Sequence, residues 1–236
     1  MQTKVQSPLH SAVNAGLRAM RANLAPGLVL QAAALGIVLA YFLWPPATEA
    51  LHRLTEFRGR VGMPFAMVST ALCGGLIPWL CISLLQGPEH RIGPGRGLLT
   101  CLFWAYKGIE VGLFYSLLAG FVGEGNSATV IISKVLIDQF VYAPLIAIPG
   151  TVLFYSWVEY GYSLRPFLRD LAAPGWYLRR VLTPLVANLG IWLPATVIIY
   201  SLPTALQLPM QNIVLVFFTL ILSRVARHAK PASEAQ

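Results

Sequence analysis

Along most of the chain the apolar residues come in long runs instead of alternating with polar ones. A helix needs roughly 20 mainly apolar residues to cross about 30 Å of hydrocarbon. In lipid only a helix or a closed barrel satisfies its own backbone, and barrel strands would alternate polar and apolar side chains. The pattern therefore predicts an all-α polytopic transmembrane helix bundle of about six spans. The first is expected at Gly27–Pro45, entered through Pro26 and ended by Pro45 and Pro46. The second is expected at Val61–Gln86, the third at Gly97–Val122 and the fourth at Ala128–Ser156. The fifth, Val181–Leu202, and the sixth, Leu206–Arg224, share a stretch broken by Pro184, Pro194, Pro203 and Pro209, which leaves room for one of them to be re-entrant. The organisation that follows is a basic amphipathic segment at 1–26, the bundle at 27–227 and a polar tail at 228–236.

Two stretches outside the spans have a helical rather than a continuous apolar pattern. Leu9, Val13, Leu17, Met20 and Leu24 recur at helical spacing, with Arg18 and Arg21 off that stripe. Leu164, Phe167, Leu168 and Leu171 make a second stripe, with Arg165 and Arg169 on another face. Basic amphipathic helices of this kind lie in the headgroup plane; the plainer alternative is a solvated cap. The basic, acid-free amino terminus also has the character of an organellar presequence, although flanking the first span accounts for the same charges.

Composition strengthens the membrane reading. Hydrophobic residues make up 56% of the 236 and charged residues 11%, against roughly 25% in an ordinary soluble domain. Mean hydropathy is +0.66. A soluble enzyme, a disordered chain and a free nucleic-acid-binding domain are excluded, so the net charge of +8 bears on orientation and not on nucleic acid.

The basic residues sort sharply by connection. Lys4, Arg18, Arg21, Arg91, Arg96, Arg165, Arg169, Arg179, Arg180, Arg224, Arg227 and Lys230 fall on one side of a six-span arrangement. Only Arg53, Arg58 and Arg60 fall on the other. The positive-inside rule then places both termini inside.

Cys73, Cys81 and Cys101 lie within expected spans, where a small buried thiol is the default. His10, His52, His90 and His228 are scattered, and no group has metal-ligand spacing. No metal or other cofactor is expected.

Four charges interrupt the apolar runs: Lys107 and Glu110 in span three, Lys134 and Asp138 in span four, with Gln139 beside them. A charge near mid-bilayer costs at least roughly 2.5–3.5 kcal/mol and should face the protein interior, paired. Each helix can pair its own charges, at i,i+3 and i,i+4. The helices can also pair across. A hairpin folded on Gly120–Gly125 sets Lys107 opposite Asp138 and Glu110 opposite Lys134, roughly 18–23 Å from the turn. A four-charge cluster between spans three and four is predicted, either as a clamp on helix register or as the lining of a solute path. Asn188, Gln207, Gln211 and Asn212 would extend a polar track or hydrogen-bond between helices. Pro64, Pro78, Pro144, Pro149 and Pro194, with Gly74 and Gly75, are expected to kink helices and release backbone carbonyls.

The stretch KVLIDQFVYAP at 134–144 resembles the K-x-x-x-D-Q-x-x-x-A-P element of the peroxisomal 22-kDa membrane protein family, which includes the mitochondrial inner-membrane protein Mpv-seventeen. Tyr106, Lys107 and Glu110 are similar to its Y-K-x-x-D element, with glutamate for aspartate. Pro203, Asn212, Leu222 and Ser223 match the spacing of its carboxy-terminal signature, and Trp192 with Pro194 is similar to its W-P pair. Gln207 stands where the family usually has arginine, Phe218 where it has tryptophan and Ile199 where it has asparagine. The resemblance covers about 100–223 and marks a divergent relative. It implies a multi-span protein, in some members a weakly selective pore, with Lys107, Glu110, Lys134 and Asp138 as the polar core and no established enzymatic chemistry.

The expected function is thus a channel or pore-like protein for small solutes, with Lys107, Glu110, Lys134, Asp138 and Gln139 as candidate polar-core residues. The alternative is a non-catalytic organising protein whose charges only fix packing. No catalytic set lies at membrane depth, so an enzyme is not expected. No internal repeat of the kind secondary transporters carry is visible. The expected partners are the lipid bilayer and small solutes or ions, with no nucleic acid and with oligomers allowed. The bacterial cytoplasmic membrane is favoured over the mitochondrial inner or peroxisomal membrane.

Overall fold

A computed structural model of the chain describes residues 7–85 and 92–228, and among them there are helices and no strands. Lys4, Gln86, His90, Arg91, Lys230 and the tail from 229 lie outside the described residues. The helices are α1 (Pro8–Ala22), α2 (Leu24–Leu43), α3 (Pro45–Val61), α4 (Met63–Thr70), α5 (Ile77–Leu85), α6 (Pro94–Val122), α7 (Ala128–Ile137), α8 (Ile148–Glu159), α9 (Leu164–Ala172), α10 (Leu182–Tyr200) and α11 (Thr204–His228). Among the described residues three π-helical segments are interposed: π1 (Ala71–Leu76), π2 (Asp138–Ala147) and π3 (Tyr177–Val181).

Among the described residues, five helical stretches are long and apolar enough to cross a membrane: Leu24–Leu43, Met63–Leu84, Pro94–Val122, Ala128–Glu159 and Tyr177–Tyr200. Their outward positions, such as Leu28, Val29, Phe121 and Leu145, are large, apolar and exposed, which suits lipid and not water. The expected sixth span is also a helix, Thr204–His228, and its apolar part runs over Thr204–Leu220 among the fully described residues. Pro26 lies inside the first turn of α2 instead of ahead of it, where a missing N–H leaves nothing unpaired. Pro45 and Pro46 do more than end the first span. They force Trp44 into an extended conformation and then start α3, whose first turn tolerates both.

The hydropathy pattern did not predict α3. It carries Glu49–Arg53 and Glu56–Arg60 pairs at i,i+4, and it half-buries Leu51, Leu54 and Arg58 along one stripe. Both segments with helical apolar stripes are helices, but α1 packs differently from the expectation. Thr183 donates to the carbonyl of Ala12 at 3.2 Å, Gly16 abuts Val186, and Met20 abuts Gly190. The two helices therefore run side by side in the same direction, so the Ala12, Gly16 and Met20 face of α1 meets span five, while Leu9 and Leu24 of the expected stripe stay exposed.

Each π segment has a proline close behind it. Past π1, Ile77 donates its N–H five residues back to Leu72, and Pro78 follows. Past π2, Ile148 donates five residues back to Ala143, and Pro149 follows. Leu182 does the same to Tyr177 ahead of Pro184. A proline ring clashes with the carbonyl four residues earlier, and widening to the i+5 register relieves that clash.

Two compact units hold the described residues. One comprises the chain up to Ala25 with Ser133–Pro194, the other Pro26–Ile132 with the chain from Ala195 onward. In the second unit, α4, π1 and α5 pack on α6 through an antiparallel ladder. Trp79 covers Gly97, Gly75 meets Cys101, Gly74 meets Trp104, and Gly108 meets the Ala66 carbonyl. Tyr115 and Tyr200, both buried, stack edge-to-face at 5.6 Å in the same unit.

Candidate functional site

The candidate charges are all at buried or nearly buried positions inside apolar helices, so they face protein and not lipid. In the unit that contains α6, the Lys107 ammonium donates to the Glu110 carboxylate one turn on. This is the within-helix pairing that the sequence allows for span three. The i,i+3 spacing of lysine before glutamate on a buried face is enough to produce it.

In the other unit the polar stretch sits where α7 gives way to π2. Lys134 is 1% exposed, Asp138 6% and Gln139 3%. Gln139 donates through Nε2 to Asp138 Oδ1 at 3.0 Å. Its Oε1 is buried without a hydrogen-bond partner among the described residues. Asp138 is the first residue of π2, so the carboxylate stands where the backbone changes register. At the far end of π2, Pro149 has no N–H to offer, and the Tyr177 hydroxyl donates to the Pro144 carbonyl at 2.9 Å instead. Kinked backbone at this depth was legible from Pro144 and Pro149, but the π register was not.

The expected polar track resolves into separate hydrogen bonds. Thr70 donates to Asn212 Oδ1 at 3.0 Å, and Asn212 Nδ2 donates to the Ser69 hydroxyl at 2.9 Å, which joins span two to α11. Gln207, at the position where the family resemblance implies arginine, donates to the Leu202 carbonyl at 3.1 Å and closes the turn between α10 and α11. Gln211 is buried close by in sequence, with Oε1 lacking a hydrogen-bond partner among the described residues. Bonds between membrane helices of this kind are worth about 0.6 kcal/mol each. Ser69 and Thr70 were missed because single hydroxyls inside an apolar run carry no pattern.

Arg58 was also missed as anything more than a loop charge. Its guanidinium donates to the carbonyls of Thr204, at 3.1 Å, and of Ala205. The reason lies in α11: Pro209 cannot donate to Ala205, four residues earlier, so that carbonyl needs another donor. Burial pulls the Arg58 guanidinium below its ordinary range, with Tyr115 opposing the shift. The half-buried stripe of α3, Leu51, Leu54 and Arg58, places it there. The signal was a proline in a helix with a basic amphipathic segment at hand.

The polar parts inside the spans are thus the Lys107–Glu110 pair and the Lys134–Asp138–Gln139 stretch, each described within its own unit, with two proline-released carbonyls held by side chains. Compared with known proteins, the chain matches no family model, no curated protein and no solved structure.

Proposed function

We propose that this multi-pass membrane protein is a weakly selective channel or pore-like protein for small solutes. The observation that carries the reading is the buried polar stretch Lys134, Asp138 and Gln139 at the entry to π2. Ionisable groups inside a span are costly and mark solute or ion paths. Non-helical or distorted backbone at membrane depth is tolerated where it is buried in protein or lines a water-filled cavity. The resemblance of 134–144 to a family with pore-like members supports the same reading, with the bacterial cytoplasmic membrane as the favoured setting. Reconstitution in liposomes tests it. Wild type should release small trapped solutes faster than empty vesicles, and Asp138→Asn should lower the preference for cations. If neither protein gives flux above empty vesicles, the pore reading fails.

A second reading is favoured by one observation, the self-neutralised Lys107–Glu110 pair. A buried pair of zero net charge suits a packing element in a non-catalytic organising protein. It predicts that Lys107→Glu alone disrupts folding, while Lys107→Glu with Glu110→Lys restores folding and function together.

A further inference from the structure

The two basic amphipathic segments read alike in sequence, but α1 packs its small-residue face on α10, whereas α9 keeps its apolar face outward. We propose that α9 is a binding surface for anionic phospholipid headgroups, in the leaflet at which its two flanking spans end. At about 100° per residue, Leu164, Phe167, Leu168 and Leu171 share one face of α9. Arg165 and Arg169 lie on one flank of that face and Asp170 on the other. Asp170 points into the protein and accepts from Arg180 at 2.9 Å and Arg179 at 3.2 Å. Arg180 also reaches Glu159 at 3.2 Å and the Tyr160 hydroxyl at 2.9 Å. These bonds fix the rotation of the helix. Leu164 and Leu168 are then 60% and 53% exposed, Phe167 and Leu171 half-buried at the protein edge, and both flanking arginines exposed.

What covers this face follows from its place in the chain. Four residues separate α9 from Glu159, the end of one span, and four separate it from Tyr177, the start of the next. The chain can carry α9 no more than about 18 Å from either. An apolar strip tethered that closely to two span ends meets the boundary of acyl chains and headgroups, where leucines point down and arginines reach up to phosphates. Charge selects the headgroup. Glu159 is engaged by Arg180 and Asp170 by both Arg179 and Arg180, and among the described residues no ion pair engages Arg165 or Arg169. Two exposed guanidiniums on one flank of the helix, with no ion-pair partner among the described residues, favour a phosphodiester of net negative charge over a zwitterion.

Native mass spectrometry of the full-length protein, titrated with equal amounts of phosphatidylglycerol and phosphatidylcholine, tests the proposal. The ratio of the two bound lipids is read within each sample, so a general loss of structure lowers both and leaves the ratio unmoved. Wild type should prefer phosphatidylglycerol. Each arginine should contribute about fivefold, so Arg165→Gln with Arg169→Gln should cut the preference about thirtyfold and Arg165→Gln alone about fivefold. Arg53→Gln with Arg60→Gln removes the same charge from α3, where both arginines already have glutamate partners, and should leave the ratio intact. Equal binding of the two lipids by wild type overturns the proposal. So does an equal loss in the α3 variant, or displacement of phosphatidylglycerol by millimolar inorganic phosphate, which would mark a free-phosphate site.

Discussion

Gly108 stands where the backbones of two spans meet. A Cβ built on it would intrude on the Ala66 carbonyl oxygen, which belongs to the backbone of α4 and cannot rotate away. Gly120, on the same helix, has nothing within 4 Å of such an atom. Alanine favours a helix over glycine by about 1 kcal/mol, so the two substitutions should separate steric from backbone effects. Gly108→Ala should destabilise by about 1–3 kcal/mol, because α4 and α6 must part along their ladder. Gly120→Ala should be neutral or slightly stabilising. Thermal unfolding in detergent measures both, and similar midpoints for the two variants would refute close backbone contact. Gly108 and Gly112 are four apart, the small-residue spacing that lets membrane helices approach. The contact was therefore present in the sequence, masked by the more conspicuous Lys107 and Glu110 beside it.

At the scale of elements, the long apolar helices were legible because hydropathy over twenty residues averages out local detail. The same averaging hid α3, whose charges and half-buried stripe read as a connection, and it hid the π segments, since a change from i+4 to i+5 bonding leaves composition untouched. Their positions have a local cause that can be tested at π2. There the Pro144 carbonyl relies on the Tyr177 hydroxyl, because Pro149 lacks an N–H. Tyr177→Phe should cost about 0.5–1.5 kcal/mol. Pro149→Ala supplies a backbone donor, so in that background the same substitution should cost markedly less. Independent, additive costs in the double-mutant cycle would mean that the hydroxyl does not stand in for the missing amide.

At the scale of the whole chain, the open question is the parity of its crossings. Five helical stretches meet the length of the bilayer, and α11 adds 25 residues, about 37 Å of helix, although its described apolar part stops at Leu220. The charge distribution gives an independent handle. If α11 crosses, the arginines of α9 and π3 share a side with Arg18, Arg21, Arg224 and Arg227, and only the α3 connection carries basic residues opposite them. If it does not, Arg224, Arg227 and Lys230 join the other side and the asymmetry fades. The positive-inside rule therefore predicts six crossings with both ends on the inner side. Single cysteines placed after replacement of Cys73, Cys81 and Cys101 distinguish the two arrangements with an impermeant maleimide on intact cells. Gly59→Cys and Asn126→Cys should label from outside, while Ser7→Cys and Ser163→Cys should label only after the membrane is opened. Ser233→Cys is the deciding position. Protection matching Ser7 means that α11 spans, and labelling alongside Asn126 means that the chain crosses five times and its carboxy-terminal arginines face outward.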